Sequence, residues 1–302
     1  DRSSEVCGQC HGIWEFFNRD DERAANSRGL PYRPGDELAR TRFVARPTIN
    51  RDSPAMQTLL ADDSGFLIDS FWPDGKVRVS GREYNGLVES PCFRAGGAEG
   101  APRLADARSG QAGEKKRLSC FSCHTMHKAD DDARPLRQWA DDQLGVGMDG
   151  NGACLQCHEK YGANLTAHTK HAADSSGSSC YNCHMPHTTY GLLKTIRSHT
   201  ISNPSAAETV DAGRPNACNL CHLDKTLAWA AEYLEHWYRI PKPALDADQQ
   251  SVAASVLTLL KGDAGQRAIV AQSLGWAPAQ QVSGTGWMAP YLALMQQDAY
   301  DA

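Results

Sequence analysis

The 302-residue chain has no apolar run approaching the 18 residues that a membrane-spanning helix needs. Its mean hydropathy of −0.51 agrees, so no segment reads as a transmembrane helix. An excess of positive charge is missing too. Thirty-one Lys and Arg stand against 36 Asp and Glu, a formal charge of −5, which leaves no basic field for DNA or RNA. Apolar residues are scarce for a globular chain at 41 %, while 26 Gly and 15 Pro interrupt it. The length allows one large or two medium domains, but something besides an apolar core must hold them together. Cysteine, with 11 residues, is what the chain has in excess.

Ten of the cysteines fall in five Cys-x-x-Cys-His motifs: Cys7, Cys10 and His11; Cys120, Cys123 and His124; Cys154, Cys157 and His158; Cys180, Cys183 and His184; Cys218, Cys221 and His222. With 11 Cys and 11 His in the chain, chance placement gives about 0.01 such motifs. The spacing suits c-type haem attachment, in which two thiols add to the vinyl groups of one porphyrin and the next residue reaches the iron as its proximal imidazole. Zinc sites gather Cys pairs in twos, redox dithiols come singly in α/β folds, and structural disulfides have no need of a following His. Five haem c groups are therefore expected.

Motif one stands alone at the N-terminus, whereas motifs two to five crowd into residues 120–222. At that density the large apolar porphyrins serve as core, and the polypeptide needs little regular structure. Residues 12–119 carry no motif and read as chain wrapping the cluster. Turns are expected at Arg33-Pro34-Gly35-Asp36 and Trp72-Pro73-Asp74-Gly75, a short hairpin at Lys76 to Val79, and a mobile loop from Ala98 to Lys116. After Cys221 helix formers take over. Leu227, Ala230, Ala231, Leu234, Trp237 and Tyr238 repeat at helical spacing, as do Val252, Val256, Leu257 and Leu260, then Ile269 and Leu274, then Tyr291, Leu292 and Met295. Paired helices of this length suit a HEAT-type repeat or a plain helical region alike. The expected fold is mainly α with much irregular structure: a haem-bearing core over 1–223 and a C-terminal helical, HEAT-like region over 224–302.

Six histidines remain for the opposite faces of five irons: His127, His168, His171, His187, His199 and His236. His127 and His187 lie three residues after a proximal His, on that residue's side, so either would have to serve a neighbouring haem. His168 and His171 sit one helical turn apart and can present two imidazoles from one face. His199 follows motif four at a distance that lets the chain loop over a haem. The plain reading of His236 is a surface or packing residue. Met126 and Met185 abut motifs and serve poorly as ligands. Cys92, the unpaired thiol, reads as buried and inert, with axial ligation, sulfur chemistry or chain cross-linking as alternatives.

The stretch Ser119 to His127, the His168-x-x-His171 pair, Cys180 to Pro186 and Pro215 to His222 resemble the bacterial multihaem c-type cytochromes. That group includes pentahaem nitrite reductase, hydroxylamine oxidoreductase and their electron-transfer relatives. The resemblance implies proximal ligation by His11, His124, His158, His184 and His222, and distal ligation by His171 and His199. Pentahaem nitrite reductase binds substrate at a haem whose ligand is the Lys of Cys-x-x-Cys-Lys, a motif this chain lacks. Relatives of hydroxylamine oxidoreductase carry more than five motifs. An electron carrier is therefore expected, its haems mostly bis-His. An oxidoreductase with one open haem acting on a small nitrogen or sulfur compound, or a subunit of an extracellular cytochrome filament, are the alternatives. The resemblance further implies haem attachment outside the cytoplasmic membrane, in the periplasm or beyond, after removal of a signal peptide. The partners would be redox proteins that donate and accept electrons.

Overall fold

The computed structural model describes residues 2–95 and 118–284, together with Pro290, Leu294 and Gln297. Within them the chain is mainly helical, and named strands are confined to two antiparallel pairs, β1 (Trp14–Glu15) with β2 (Phe43–Val44) and β3 (His187–Gly191) with β4 (Lys194–Arg197). The loop expected at 98–116 and the last periodic stretch, at Tyr291, Leu292 and Met295, lie outside the described residues.

Residues 12–95 hold more helix than their sequence periodicity suggests. Asn18 caps Arg19–Arg28, and Ser53 caps Pro54–Asp62, whose proline stands in the first turn where no amide partner is needed. Strong caps and tertiary packing make helices too short to show a period. Leu38, Tyr84 and Val88 pack with Tyr32 and Val44, while Ile13, Met56, Phe66 and Phe71 form a second cluster. Buried Asn85 ties these parts together. Its Oδ1 accepts from Ile13 N at 2.6 Å, and its Nδ2 donates to Ala45 O at 2.7 Å. At the Trp72 turn Phe71 bridges to Val77, which is the expected hairpin reduced to one pair.

In the C-terminal region Leu227–Tyr238, Ala254–Lys261 and Ala264–Gly275 are the main helices. Thr226, through its Oγ1, caps the first, and an Asp263–Gln266 capping box starts the third. Leu227, Ala230, Ala231 and Leu234 are buried as their spacing predicts, but Trp237 and Tyr238 belong to a different face. Pro278 lies in the first turn of Ala277–Ser283, where no amide partner is needed.

Apolar packing concentrates at the two ends of the chain. Between residues 118 and 200, Trp139 alone among the Leu, Ile, Val, Met, Phe, Trp and Tyr side chains is fully buried. The segment carrying motifs two to four thus lacks a polypeptide core of its own. The β3–β4 hairpin is its strut. Thr188 O accepts from Trp72 Nε1 at 3.1 Å, and Thr195 N donates to Gln272 Oε1 at 2.6 Å. A Cβ on Gly191 would lie 2.3 Å from Ser80 Oγ, so the residue's smallness permits that contact.

The hairpin turns through Leu192 and Leu193, at φ 53° and 61°, and both side chains stand in solvent at 84 % and 87 % exposure. A two-residue turn of this kind favours Asn-Gly, because L-residues other than these pay about 1–2 kcal/mol in the left-handed region. Replacing Leu192-Leu193 by Asn-Gly is expected to stabilise the protein by about 2 kcal/mol, read as a raised denaturant midpoint at unchanged slope. A fall in the midpoint would show that the leucines are held by a contact beyond the hairpin.

Candidate haem-binding site

Each motif folds as a single turn. Motif one lies on Ser3–His11, motif three begins in Gly152–Leu155, motif four is Cys180–His184, and motifs two and five start in the tight turns Cys120–Ser122 and Cys218–Leu220. In motifs two, three and five the His amide donates to the carbonyl of the first Cys at 2.8, 3.0 and 2.8 Å. One turn puts both thiols on the same side, with the imidazole next to them. None of the eleven cysteines is in a disulfide.

The motifs adjoin one another in chain order. Cys7 and Cys120 are hydrogen-bonded through their thiols, and Ser4 Oγ accepts from Cys120 N at 3.1 Å, so the isolated first motif is brought against the second. Cys123 lies within electrostatic reach of Cys157, Cys154 is hydrogen-bonded to Cys180, and Cys183 neighbours Cys218 and Cys221. The hydrogen bond from Cys120 pulls the Cys7 thiol down to about 6, and burial raises Cys218 and Cys221 to about 12. Half-buried Cys92 sits beside Cys123, Cys154 and Cys157, where motifs two and three meet, and burial raises its thiol as well.

Three pairs of imidazoles face each other at one spacing. His124 and His199 have ring centroids 6.3 Å apart with planes inclined 26°, His168 and His184 are 6.1 Å apart and nearly parallel at 4°, and His171 and His222 are 6.2 Å apart at 34°. A metal–imidazole bond of about 2 Å plus roughly 1.1 Å from nitrogen to ring centre, taken twice, puts two axial imidazoles about 6.2 Å apart. Each pair could hold an iron between its rings. The helix Leu165–Thr169 ends in Lys170 at φ 61°, so His168 and His171 do not share a helical face and meet different motifs.

The rings are oriented through Nδ1. It lies 2.9 Å from Asp142 O in His124, 2.6 Å from Thr169 O in His171, 3.1 Å from Ser202 O in His184 and 3.1 Å from Arg197 O in His199. A carbonyl accepts only from N–H, so Nε2 keeps its lone pair for a metal. His11 differs, its Nδ1 lying 2.9 Å from the Glu83 carboxylate, and that hydrogen bond outweighs burial in raising the His11 pKa.

Glycines make room for two of the rings. A Cβ on Gly177 would fall 2.2 Å from His171 Cδ2, and one on Gly86 would fall 3.2 Å from His199 Cβ. Arg197 supports motif four by donating to Tyr181 O, Met185 O and Asn182 Oδ1 while its own carbonyl orients His199. Beside motif one, Arg42 is wholly buried and stacks on Trp14 at 4.0 Å, yet all three of its guanidinium nitrogens lack a hydrogen-bond partner. Such a group demands an anion, which a porphyrin's carboxylate would supply. From His222 an aromatic row runs along Leu227–Tyr238 through Trp229, Tyr233 and Trp237, with centroids 4.8, 4.9 and 4.6 Å apart. Periodicity alone hid this second stripe, and nothing in the sequence marked Glu83, Gly86 or Arg42.

The remaining histidines stand apart. His127 and His236 are exposed, and His187 packs edge-on to Trp276 at 5.5 Å. The described residues include all eleven histidines, and none of them faces His11 or His158 at the spacing of the three pairs. Tyr161 instead lies 6.2 Å from His158 and 4.3 Å from His168. No three His, Cys, Asp or Glu side chains gather as a metal cluster among the described residues.

A family model for cytochrome c552 matches residues 170–274. The crystal structure of outer cell wall cytochrome OcwA is similar in fold, with a TM-score of 0.52 at 18 % identity, covering 96 % of this chain and 60 % of that one. The chain thus spans under two thirds of that cytochrome's length. No curated protein matches by sequence. With five attachment motifs on a mainly α fold, a cytochrome c552 match over residues 170–274 and the fold of an outer cell wall cytochrome, the chain is similar to the multihaem c-type cytochromes. No helix among the described residues is long and apolar enough to cross a membrane.

His187 also gives the protein a pH dependence. Burial, helped by Arg197, presses its pKa down to about 4, against an ordinary value near 6.5. The fold favours the neutral ring, so this stability is whole above pH 6.5 and drains as pH falls toward 4, by about 3 kcal/mol at most. His187→Phe, which keeps the Trp276 contact, should lose less stability than the parent between pH 7 and 4.5 in denaturant titrations; equal losses would place the acid sensitivity elsewhere.

Proposed function

We propose that the chain carries five haem c groups and passes electrons along them in the order of its motifs, between a donor and an acceptor protein, in the periplasm or outside the cell. The observation that carries this reading is the shared 6.1–6.3 Å spacing of the three imidazole pairs, on motifs that adjoin in sequence order. When bound, the iron porphyrins supply one-electron chemistry at potentials set by their ligands and surroundings. The polypeptide's part is to hold them. His124 with His199, His184 with His168, and His222 with His171 would each hold an iron from both sides and so exclude other ligands. The carbonyls of Asp142, Thr169, Ser202 and Arg197 fix these rings, which keeps reorganisation small when charge arrives. Residues 1–223 act as the haem-bearing region, and 224–302 as a helical region that docks a partner.

One observation favours a second reading. His11 and His158 have no imidazole opposite them, which suits a small nitrogen or sulfur ligand at an open iron, or a ligand lent by a neighbouring copy in a filament. His127 and His187, candidates in the sequence, lie in none of the three pairs.

The intact mass should exceed the polypeptide by five haems, and a lower count would remove a motif from the line. In electron paramagnetic resonance three of the five haems should be low-spin with two imidazoles. His199→Ala, His168→Ala and His171→Ala should each turn one of these high-spin, whereas His187→Ala should turn none. Gly177→Ala should act like His171→Ala, because its Cβ displaces the ring. Rapid turnover of a small nitrogen or sulfur compound would defeat the carrier reading and promote the second one.

A further inference from the structure

Four of the ligand imidazoles have a neutral backbone carbonyl at Nδ1, but His11 has a carboxylate there, 2.9 Å away. The carboxylate is itself held. Glu83 begins the helix Glu83–Glu89, which packs on Ser3–His11, and its other oxygen accepts from Gly81 N at 3.1 Å. Its side chain is only 23 % exposed. The neighbouring Arg82 turns away to donate to Cys10 O at 2.7 Å, so it does not neutralise Glu83 through a hydrogen bond. Glu83 also lies within electrostatic reach of His199, which faces His124 of motif two.

A carboxylate accepting the Nδ1 proton draws that proton toward itself and leaves more electron density on the ring, making Nε2 a stronger donor to a metal than an imidazole bound to a carbonyl. A stronger anionic donor stabilises ferric over ferrous iron. We propose that Glu83 is a positioning residue that acts through His11 to hold down the reduction potential of the iron at motif one, setting the N-terminal end of the line apart from the irons whose ligands meet only carbonyls. The idea rests on reading His11 as that iron's axial ligand. Since no second imidazole faces His11, the full effect of its basicity falls on one bond.

The test is spectroelectrochemical titration of the complete holoprotein and of Glu83→Gln, which keeps the shape and an acceptor oxygen but removes the charge. The expected result is that one haem of five shifts to higher potential by at least a tenfold change in its reduction equilibrium, 59 mV for one electron, while the others hold. The iron–histidine stretch of the reduced protein in resonance Raman should fall in frequency for the same haem, a signature that a merely structural role would not move. Glu83→Asp should restore part of both effects. Five haems by mass with no wave displaced and no change in the stretch would overturn the role of Glu83 alone. A parent protein that lacks the haem of motif one would instead overturn the reading of His11 on which the idea rests. If Glu83→Gln fails to fold, Glu83→Ala, which also removes the charge, takes its place, and an unshifted potential and unshifted stretch there would count against the proposal.

Discussion

Between residues 118 and 200 the polypeptide buries almost nothing apolar of its own, and the rest of the architecture is arranged around that deficit. Porphyrin faces would supply the hydrophobic contribution there, bringing large apolar area without further chain to order. Short turns suffice, because each motif needs only one turn to aim two thiols and a ring. The apolar clusters at either end then act as clamps. One is built from Leu38, Tyr84 and Val88 beside motif one, the other from Leu223, Val256, Leu259, Val270 and Leu274 behind motif five.

Between the clamps, polar contacts transmit position. Lys76 of the motif-free segment donates to Ser202 Oγ at 2.8 Å, while Ser202 O meets His184 Nδ1, so a residue far away in sequence bears on the ring of motif four. Buried Arg214 joins Asp74 at 2.9 Å and Glu208 at 2.7 Å, fastening the same turn to the approach to motif five. Removing one partner of such a group would strand the others.

The Cys-x-x-Cys-His motifs were legible because covalent haem attachment requires those residues to be contiguous. The C-terminal helices were legible too, from Leu227 to Leu274, because one face of each packs on protein. What periodicity could not disclose is which imidazole meets which motif. His199 follows motif four yet faces His124 of motif two. His168 and His171 look like neighbours on one helix until Lys170 enters the left-handed region and parts them. Such pairings depend on long-range folding, and Glu83, Arg42 and Gly86 are recognisable only once the chain has closed around them. The helices within 12–95 were missed for a different reason: caps and tertiary contacts sustain them, and neither leaves a period.

The contacts between Cys7 and Cys120, and between Cys154 and Cys180, carry a consequence for how the protein is made. Thiols belonging to different motifs lie within bonding reach of each other, and Cys7 is the more acidic, hence the more nucleophilic at neutral pH. In an oxidising compartment the same geometry that brings the motifs into line would let them cross-link into disulfides that block attachment. Biogenesis therefore becomes a race between porphyrin and oxidant. A chain that folded ahead of its cofactor would invite mispairing, so attachment would have to outpace oxidation of these thiols.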